Sequence, residues 1–188
     1  MTGQDELVDG GTTEQIAHYR SLREQIERAT LPLATSVDGR TFELQASLHD
    51  LALRRGGHVV LEAKSGSWLG QITDLASHSV MAHVPGAGGS TSSVLVRLAG
   101  GHGLVLDGGV PFHDALVRPA RPDEVEQWLA GSRPDRAMLV VGELLLAPGV
   151  PAALDSGGLN RHTFMCGQSG SGKTYSLGLL LERVLSET

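Results

Sequence analysis

Hydrophobic residues at helical spacing mark the first part of the chain, residues 12–30. The apolar stripe consists of Ile16, Tyr19, Leu22 and Ile26. Intervals of three or four residues place these side chains on one face of a helix, and Thr12 or Thr13 suits its N-terminal cap. We expect this face to pack on the helix's own domain, with contact to a partner as the alternative. Residues 1–11, which are polar and acidic, are predicted to form a disordered leader.

From residue 30 to residue 154 the hydrophobic period changes to two. Short alternating segments separated by glycine-rich turns are typical of a small, mainly β barrel. The predicted strands lie within residues 42–47, 58–63, 67–75, 93–98, 103–109, 113–118 and 138–146. Residues 85–93 are predicted to be a flexible surface loop. Residues 121–131 are predicted to be one short helix that crosses the barrel, because Pro122 suits a first helical turn and Gly131 suits a helix end.

The pattern changes again in the last part of the chain. Residues 146–160 are predicted to be a linker, and residues 155–188 the truncated start of an α/β domain. In that domain residues 162–166 form a short apolar strand and residues 173–185 form a helix. The helix has an apolar face made of Leu177, Leu180, Leu181 and Val184. The predicted organisation is therefore a leader with a helix (1–29), a barrel (30–154) and the start of a second domain (155–188).

Between the predicted strand and helix, residues 167–174 read GQSGSGKT, which fits the pattern G-x-x-x-x-G-K-[ST] of a nucleotide-phosphate-binding loop (P-loop). Glycines let the backbone approach phosphate oxygens closely, and a helix N-terminus favours anions. Lys173, the predicted catalytic residue, can reach the β- and γ-phosphates, and Thr174 can offer its hydroxyl to Mg²⁺. The predicted cofactors are thus ATP and Mg²⁺. The predicted binding residues are Gly167, Gln168, Ser169, Gly170, Ser171, Gly172, Lys173, Thr174 and Tyr175.

Tyr175 has two interpretations. It could touch the nucleotide or a neighbouring subunit, but packing in the core or at its rim is the simpler prediction.

Hydrolysis would need two further groups: a second acidic residue at the end of another strand to hold Mg²⁺, and a residue that positions water. Only residues 186–188 follow the predicted helix, so neither group is visible. We therefore expect this chain to be the N-terminal part of a longer ATPase and to be inactive alone. A complete, non-hydrolysing product is the alternative.

The order of a barrel, a linker and this loop resembles the HerA family of helicases and DNA translocases, which is grouped with FtsK-like motors. The resemblance is carried by residues 43–75, by residues 140–155, by Arg161-His162 and by residues 168–174. It implies a barrel like that of ATP synthase catalytic subunits, followed by a RecA-like motor. It further implies a homo-hexameric ring that moves duplex DNA by ATP hydrolysis, beside a partner nuclease. Only the P-loop residues carry over to this sequence.

Two other functions fit part of the pattern. A rotary ATPase-type subunit would share the barrel, but a differently composed loop is expected there. A non-enzymatic barrel module would serve only oligomer assembly or partner docking.

Composition narrows the class of protein further. The net charge of −6 does not suit a compact domain that coats DNA, although it allows a ring with a basic inner wall. Cys166 is the only cysteine, so no intramolecular disulfide can form, and it is most simply a small buried residue. No apolar run approaches the ~20 residues of a membrane helix. A cytoplasmic location without membrane contact is predicted.

The histidines do not form a recognisable metal set. They are His18, His49, His58, His78, His83, His102, His113 and His162. Pairs such as His78 with His83 lack the cysteine or clustered carboxylates that would complete a site. We interpret all eight as solvated or strand-face residues.

Overall fold

The computed structural model describes residues 6–85, 91–132, 137–160 and 162–187. Contacts within the chain divide it into two compact units, one ending at Pro119 and one beginning at Ala120. The first unit contains α1 (Glu6–Ala29), β1 (Leu33–Ser36), β2 (Thr41–Ser47), β3 (His58–Ala63), β4 (Gly66–Pro85), β5 (Thr91–Val105) and β6 (Phe112–Pro119). The second contains α2 (Pro122–Ser132), β7 (Met138–Leu144), β8 (Ala147–Asp155), a 3₁₀ helix (Ser156–Asn160) and α3 (Lys173–Glu187).

Six antiparallel strands of the first unit close into a small barrel in the order β1-β2-β5-β4-β3-β6. The ring closes where β1 pairs with β6, with Leu33 opposite Leu116. The predicted barrel with an N-terminal helix is therefore confirmed. The strand predicted over residues 138–146 forms as β7, but it pairs with β8 in a separate two-stranded sheet and does not join the barrel.

Alternation along the strands fills the barrel interior. In β2, Phe42, Leu44 and Ala46 are buried while Glu43 and Gln45 face solvent, as the period of two requires. The core also contains Ala34, Leu53, Val59, Leu61, Ile72, Ala99, Val105, Phe112, Ala115 and Val117. These side chains supply the apolar burial that holds the ring closed.

The turn between β1 and β2 is held by one exposed carboxylate. Asp38 accepts hydrogen bonds from the backbone N–H groups of Thr41 and Arg40, each at 2.8 Å. These bonds favour the charged form and lower the pKa of Asp38 to about 2. Gly39 follows with a positive φ of 65°, a conformation that glycine adopts without steric cost. The turn thus fixes the register in which β1 meets β2.

Two strands of the barrel extend beyond their other neighbours. β4 and β5 pair from Gly70 opposite Val105 to Pro85 opposite Thr91, with one bulge between Ile72 and Asp74. β2 accompanies β5 only as far as Leu98. We call residues 74–85 together with residues 91–97 the distal hairpin. The predicted loop over residues 85–93 is therefore partly wrong, because residues 91–93 belong to β5; residues 86–90 lie outside the described residues.

Helix α1 packs on one face of this distal hairpin. Leu22 and Ile26 contact Val94, Val96 and Leu98, so the predicted packing of the helix on its own domain is confirmed. The helix is longer than predicted, since it already includes residues 6–11 of the predicted leader; residues 1–5 lie outside the described residues. A cap at Thr12 or Thr13 is consequently wrong, because a capping preference of about 1 kcal/mol does not prevent a helix from continuing through the residue.

A buried carboxylate joins α1 to β5. The side chain of Glu27, in a residue only 6% exposed, accepts a hydrogen bond from the backbone N–H of Arg97 at 2.8 Å. Arg23 donates its Nε to the same carboxylate at 2.8 Å, and Nε2 of His49 lies 3.4 Å away. Burial raises the pKa of Glu27, but the bonds from Arg97, Arg23 and His49 outweigh it, so the net pKa is lowered.

The second unit is built on the β7–β8 hairpin. Helix α2 packs its buried Val125 against Ala147 and Val150 of β8. The short helix predicted over residues 121–131 is thus confirmed, and its position across the barrel stays a prediction. The backbone N–H of Arg121 donates to the Glu124 carboxylate at 2.8 Å, which caps the helix start. Residues 146–160, predicted to be a linker, instead contain all of β8 and the 3₁₀ helix, because β8 pairs with β7.

Candidate phosphate-binding loop

The motif residues form a turn that leads directly into α3. The backbone N–H of Ser171 donates to the carbonyl oxygen of Gln168 at 3.2 Å, and that of Ser176 donates to Gly172 at 2.9 Å. Gly170 and Gly172 have positive φ angles of 78° and 80°. Alternation of such residues with ordinary ones curves a backbone so that successive N–H groups can converge on an anion. The predicted helix over residues 173–185 is confirmed within α3.

The ammonium group of Lys173 lies inside the curve of the loop. Its Nζ donates to the carbonyl oxygen of Gly167 at 2.7 Å and also to that of Gln168, and it lies 3.5 Å from the hydroxyl of Ser171. The motif spacing identifies the lysine, but it does not reveal these main-chain acceptors. They hold the cation at the position where the loop and the first turn of α3 meet.

Gly167 is needed for this arrangement because of space. A Cβ atom built on Gly167 would lie 2.7 Å from the hydroxyl of Ser171 and 3.4 Å from Cγ and Cδ of Lys173. A side chain there would displace the hydroxyl of Ser171 and would stand in contact with the lysine. By contrast, a Cβ on Gly170 or Gly172 would meet nothing within 4 Å, so their positive φ angles are what require glycine.

The loop is open to solvent. Its predicted binding residues are exposed, apart from the partly buried Lys173. Tyr175 is 80% exposed, so the prediction that it packs in the core or its rim is wrong for this chain. Its ring follows Thr174 at the start of α3, where the first backbone N–H groups of a helix have no partner within the helix.

The segment before the loop differs from prediction. Residues 162–166 form no strand, and the side chain of Phe164 is 90% exposed. A strand requires a partner, and β7 and β8 pair only with each other in the part of the chain the structure describes. Cys166 is exposed and not buried, for the same reason. Arg161 lies outside the described residues.

Helix α3 leaves part of its apolar face uncovered. Leu177, Leu181 and Leu185 are exposed, while Leu180 and Val184 are partly buried, and the helix contacts β7. The apolar stripe predicted from the sequence is thus a real feature of the helix, but only half of it is packed.

The chemistry of the loop fits a phosphate group. A concave run of glycines, a helix N-terminus and a lysine cation together provide donors and positive charge for phosphate oxygens. For Mg²⁺ the exposed hydroxyl of Thr174 is a hard oxygen ligand of the right kind. Among the described residues no group of three or more His, Cys, Asp or Glu side chains could hold a metal ion. A Mg²⁺ ion bound to Thr174 would therefore need phosphate oxygens and water as its other ligands.

Each histidine for which the structure shows a side-chain hydrogen-bonding partner has a different one. His78 lies 3.2 Å from the amide nitrogen of Gln45, and His113 lies 3.2 Å from the carboxylate of Asp114. His58 is half-buried at the start of β3, and its Nδ1 is buried without a partner among the described residues. Burial lowers the pKa of His58.

A small antiparallel barrel, a glycine-rich loop and a lysine-led helix follow one another along the chain. Residues 139–188 match the family model described as helicase HerA, central domain. This match confirms the predicted resemblance to the HerA family over that segment of the chain. It spans β7, β8, the loop and α3, and it leaves the barrel outside.

A comparison with curated proteins found no significant match to the chain. No helix in the described ranges is long and apolar enough to cross a membrane.

Proposed function

We propose that residues 167–174 bind the phosphates of ATP. The observation that carries this proposal is the position of Lys173, whose ammonium lies inside the loop against the carbonyl oxygens of Gly167 and Gln168. A cation held there is close to the helix N-terminus, so both positive groups act on the same anion. The match of this segment to the HerA central-domain family supports the same assignment.

The chain's own groups have separate roles in this proposal. Lys173 exchanges its main-chain acceptors for the β- and γ-phosphate oxygens, which costs little because an ammonium group has three donors. Thr174 offers its hydroxyl to Mg²⁺. Gly170, Ser171 and Gly172 present backbone N–H groups, and the exposed ring of Tyr175, the residue after Thr174, is available to contact the nucleotide. When bound, ATP supplies the phosphoanhydride whose cleavage drives movement.

At the level of the whole protein, we propose an ATP-driven DNA helicase or translocase of the HerA type. In that protein the present chain provides the barrel and the phosphate-binding loop, and six copies form a ring in the cytoplasm, with DNA as substrate and a nuclease as partner. The family match supports the type of motor. The net charge of −6 does not suit DNA contacts over a uniformly basic surface of this chain, and it allows a ring with a basic inner wall.

The experiment uses the two lysines of the sequence, Lys64 and Lys173. DNA-stimulated ATP hydrolysis is measured for the protein encoded by the full reading frame that contains this chain. We expect Lys173→Ala to abolish hydrolysis, and Lys64→Ala, which changes an exposed residue between β3 and β4, to leave it unchanged. Hydrolysis that survives Lys173→Ala would contradict the proposal, as would its equal loss in both variants.

A further inference from the structure

The outer edge of strand β4 is open along the distal hairpin. On that side β3 pairs with β4 only from Gly66 to Gln71. The backbone of Ile72 is then bonded to Gly56 and Gly57, and the carbonyl oxygen of Thr73 accepts from Nε of Arg55. From residue 74 to residue 85, β5 is the only strand paired with β4 among the described residues. Backbone N–H and C=O groups on the other side therefore point outward.

The two edges of the distal hairpin are treated differently. The edge of β5 is covered where β2 ends, because the carboxylate of Glu27 accepts the backbone N–H of Arg97. In the part of the chain that the structure describes, no side chain caps the opposite edge from residue 74 onward in this way. Natural proteins commonly protect an edge strand with Lys, other charges or an early proline. Residues 75–85 contain no Asp, Glu, Lys or Arg, and their proline is the last residue, Pro85.

The side chains beside this edge suit an added strand. On the face turned to α1, Val80 and Ala82 pack with the buried cluster of Val94, Val96 and Leu98. On the other face, Met81 stands directly opposite Leu95 on β5, and both are 55% exposed. A strand placed beside β4 would therefore gain main-chain hydrogen bonds and apolar contacts on both faces.

We propose that the open edge of β4 pairs antiparallel with the same edge of a second copy of this chain. Absence of charge is what favours a second copy, because no like charges oppose one another when two identical edges meet. A two-fold axis through Met81 sets the register. Val80 then lies opposite Ala82 of the partner copy on the α1 face, and Ser79 lies opposite His83 of the partner copy on the outer face. The central pairs of this isologous contact join apolar with apolar and polar with polar residues, while further out His78 lies opposite Val84 and Ser77 opposite Pro85 of the partner copy.

The proposal does not rest on nucleotide binding, and the two-fold contact is distinct from the contacts between unlike surfaces that would close a ring of six copies. It is tested with the chain of residues 1–188. Sedimentation velocity is measured over a range of concentrations. We expect reversible dimers, and a chain that stays monomeric at every concentration would overturn the proposal. Met81→Lys places two ammonium groups opposite each other and should weaken the dimer at least about tenfold. Mixing the Met81→Lys and Met81→Glu variants should restore it.

Leu95→Lys is the matched control. It adds the same charge to the same face at the same exposure, but one strand away from the edge. We expect a much smaller effect on dimerisation. Equal weakening by the Leu95 and Met81 variants would mean that the outer faces stack, and it would overturn the edge pairing. Circular dichroism of each variant separates loss of association from loss of folding.

Disulfide trapping in a Cys166→Ser background tests the register. Met81→Cys should cross-link to itself, and Ser79→Cys should cross-link with His83→Cys when the two variants are mixed. Neither of the latter two variants should cross-link to itself efficiently, because the proposed register sets each opposite the other. A reversed pattern would overturn the register and with it the proposed axis.

Discussion

The backbone N–H of Arg97 donates to the buried carboxylate of Glu27 at 2.8 Å, across 70 residues of sequence. Arg97 lies on β5 one residue beyond Leu98, the last residue of β5 that pairs with β2. The carboxylate therefore takes the place of the missing strand at that point and attaches α1 to the distal hairpin. A helix that covers an edge in this way explains why the first unit includes residues N-terminal to the barrel.

Replacement of Glu27 should lower the stability of the first unit. Glu27→Ala leaves the Arg97 donor unsatisfied and removes the partner of Arg23, so we expect a loss of about 1–3 kcal/mol. The free energy of unfolding in urea measures this loss. Glu24→Ala changes the same residue type on the exposed face of the same helix, and it should stay within about 0.5 kcal/mol of the parent. An equal effect of both variants would contradict the role of Glu27.

The carboxylate of Glu27 should also make the free energy of unfolding depend on pH in the acid range. The pKa of Glu27 is lowered from 4.5 in the folded chain, so its stabilising contribution is complete above pH 4.5 and is lost as pH falls through the lower folded value. Glu27→Gln keeps an acceptor but removes the charge. We expect the stability of this variant to fall less steeply below pH 4.5 than that of the parent, and urea unfolding at several pH values measures the difference.

His58 should add a second pH dependence at higher pH. Burial lowers its pKa from 6.5, so the folded chain holds the neutral ring while the unfolded chain takes up a proton below pH 6.5. Stability is therefore expected to fall as pH decreases from 6.5 towards the folded pKa. His58→Gln should flatten this part of the curve. The exposed His113, changed in the same way, is the control, and an equal flattening by both would contradict the assignment.

Gly103 should be irreplaceable because of Phe42. A Cβ on Gly103 would lie 2.1 Å from Cζ of Phe42, which is 2% exposed, and 2.6 Å from the carbonyl oxygen of Gln71. We expect Gly103→Ala to cost about 1–3 kcal/mol or more. Adding Phe42→Leu should recover part of the loss, because the clash with the ring disappears while that with the backbone stays. The thermal midpoints of both single variants and of the double variant measure this coupling, and strictly additive effects would contradict it.

Gly172 lies just before α3 and Gly178 lies within it, so the two glycines separate the effect of backbone conformation from the effect of space. Neither has an atom within 4 Å of an added Cβ, but only Gly172 has a positive φ, 80°. Gly178→Ala should stabilise α3 by about 0.5–1 kcal/mol. Gly172→Ala should strain the loop by about 1–3 kcal/mol and weaken ATP binding. Thermal unfolding and nucleotide titration measure both effects, and similar behaviour of the two variants would contradict the role assigned to the loop.

The barrel was predictable from the sequence because one buried face imposes alternation on each strand. The length of β5 was not, since Gly100-Gly101 reads as a turn. In the structure, a Cβ on Gly100 would lie 2.4 Å from the ring of His78, and one on Gly101 would lie 2.3 Å from the carbonyl oxygen of Asp74. These glycines allow a close approach within a continuous strand pair. Local composition alone does not distinguish that role from a turn.

The loop and the helix after it could be predicted from their own residues, but the structure of the segment before the loop could not. Spacing predicted the start of α3 correctly, because glycines and a helix-leading lysine are a local pattern, while the binding role of the loop stays a prediction. It failed for residues 162–166, where apolar composition suggested a strand. Whether such a segment pairs depends on a neighbouring strand, and that neighbour is not a property of the segment itself.

The most direct test of the phosphate-binding assignment is equilibrium binding of ATP and AMP, with Mg²⁺, to the parent chain and to the Lys173→Ala and Lys64→Ala variants. We predict that the parent and Lys64→Ala bind ATP more tightly than AMP. Lys173→Ala should lose about 10- to 100-fold in ATP affinity, the equivalent of one charge-assisted interaction, and should lose most of the preference for ATP. An unchanged ATP affinity in Lys173→Ala, or no preference for ATP in the parent, would contradict the account.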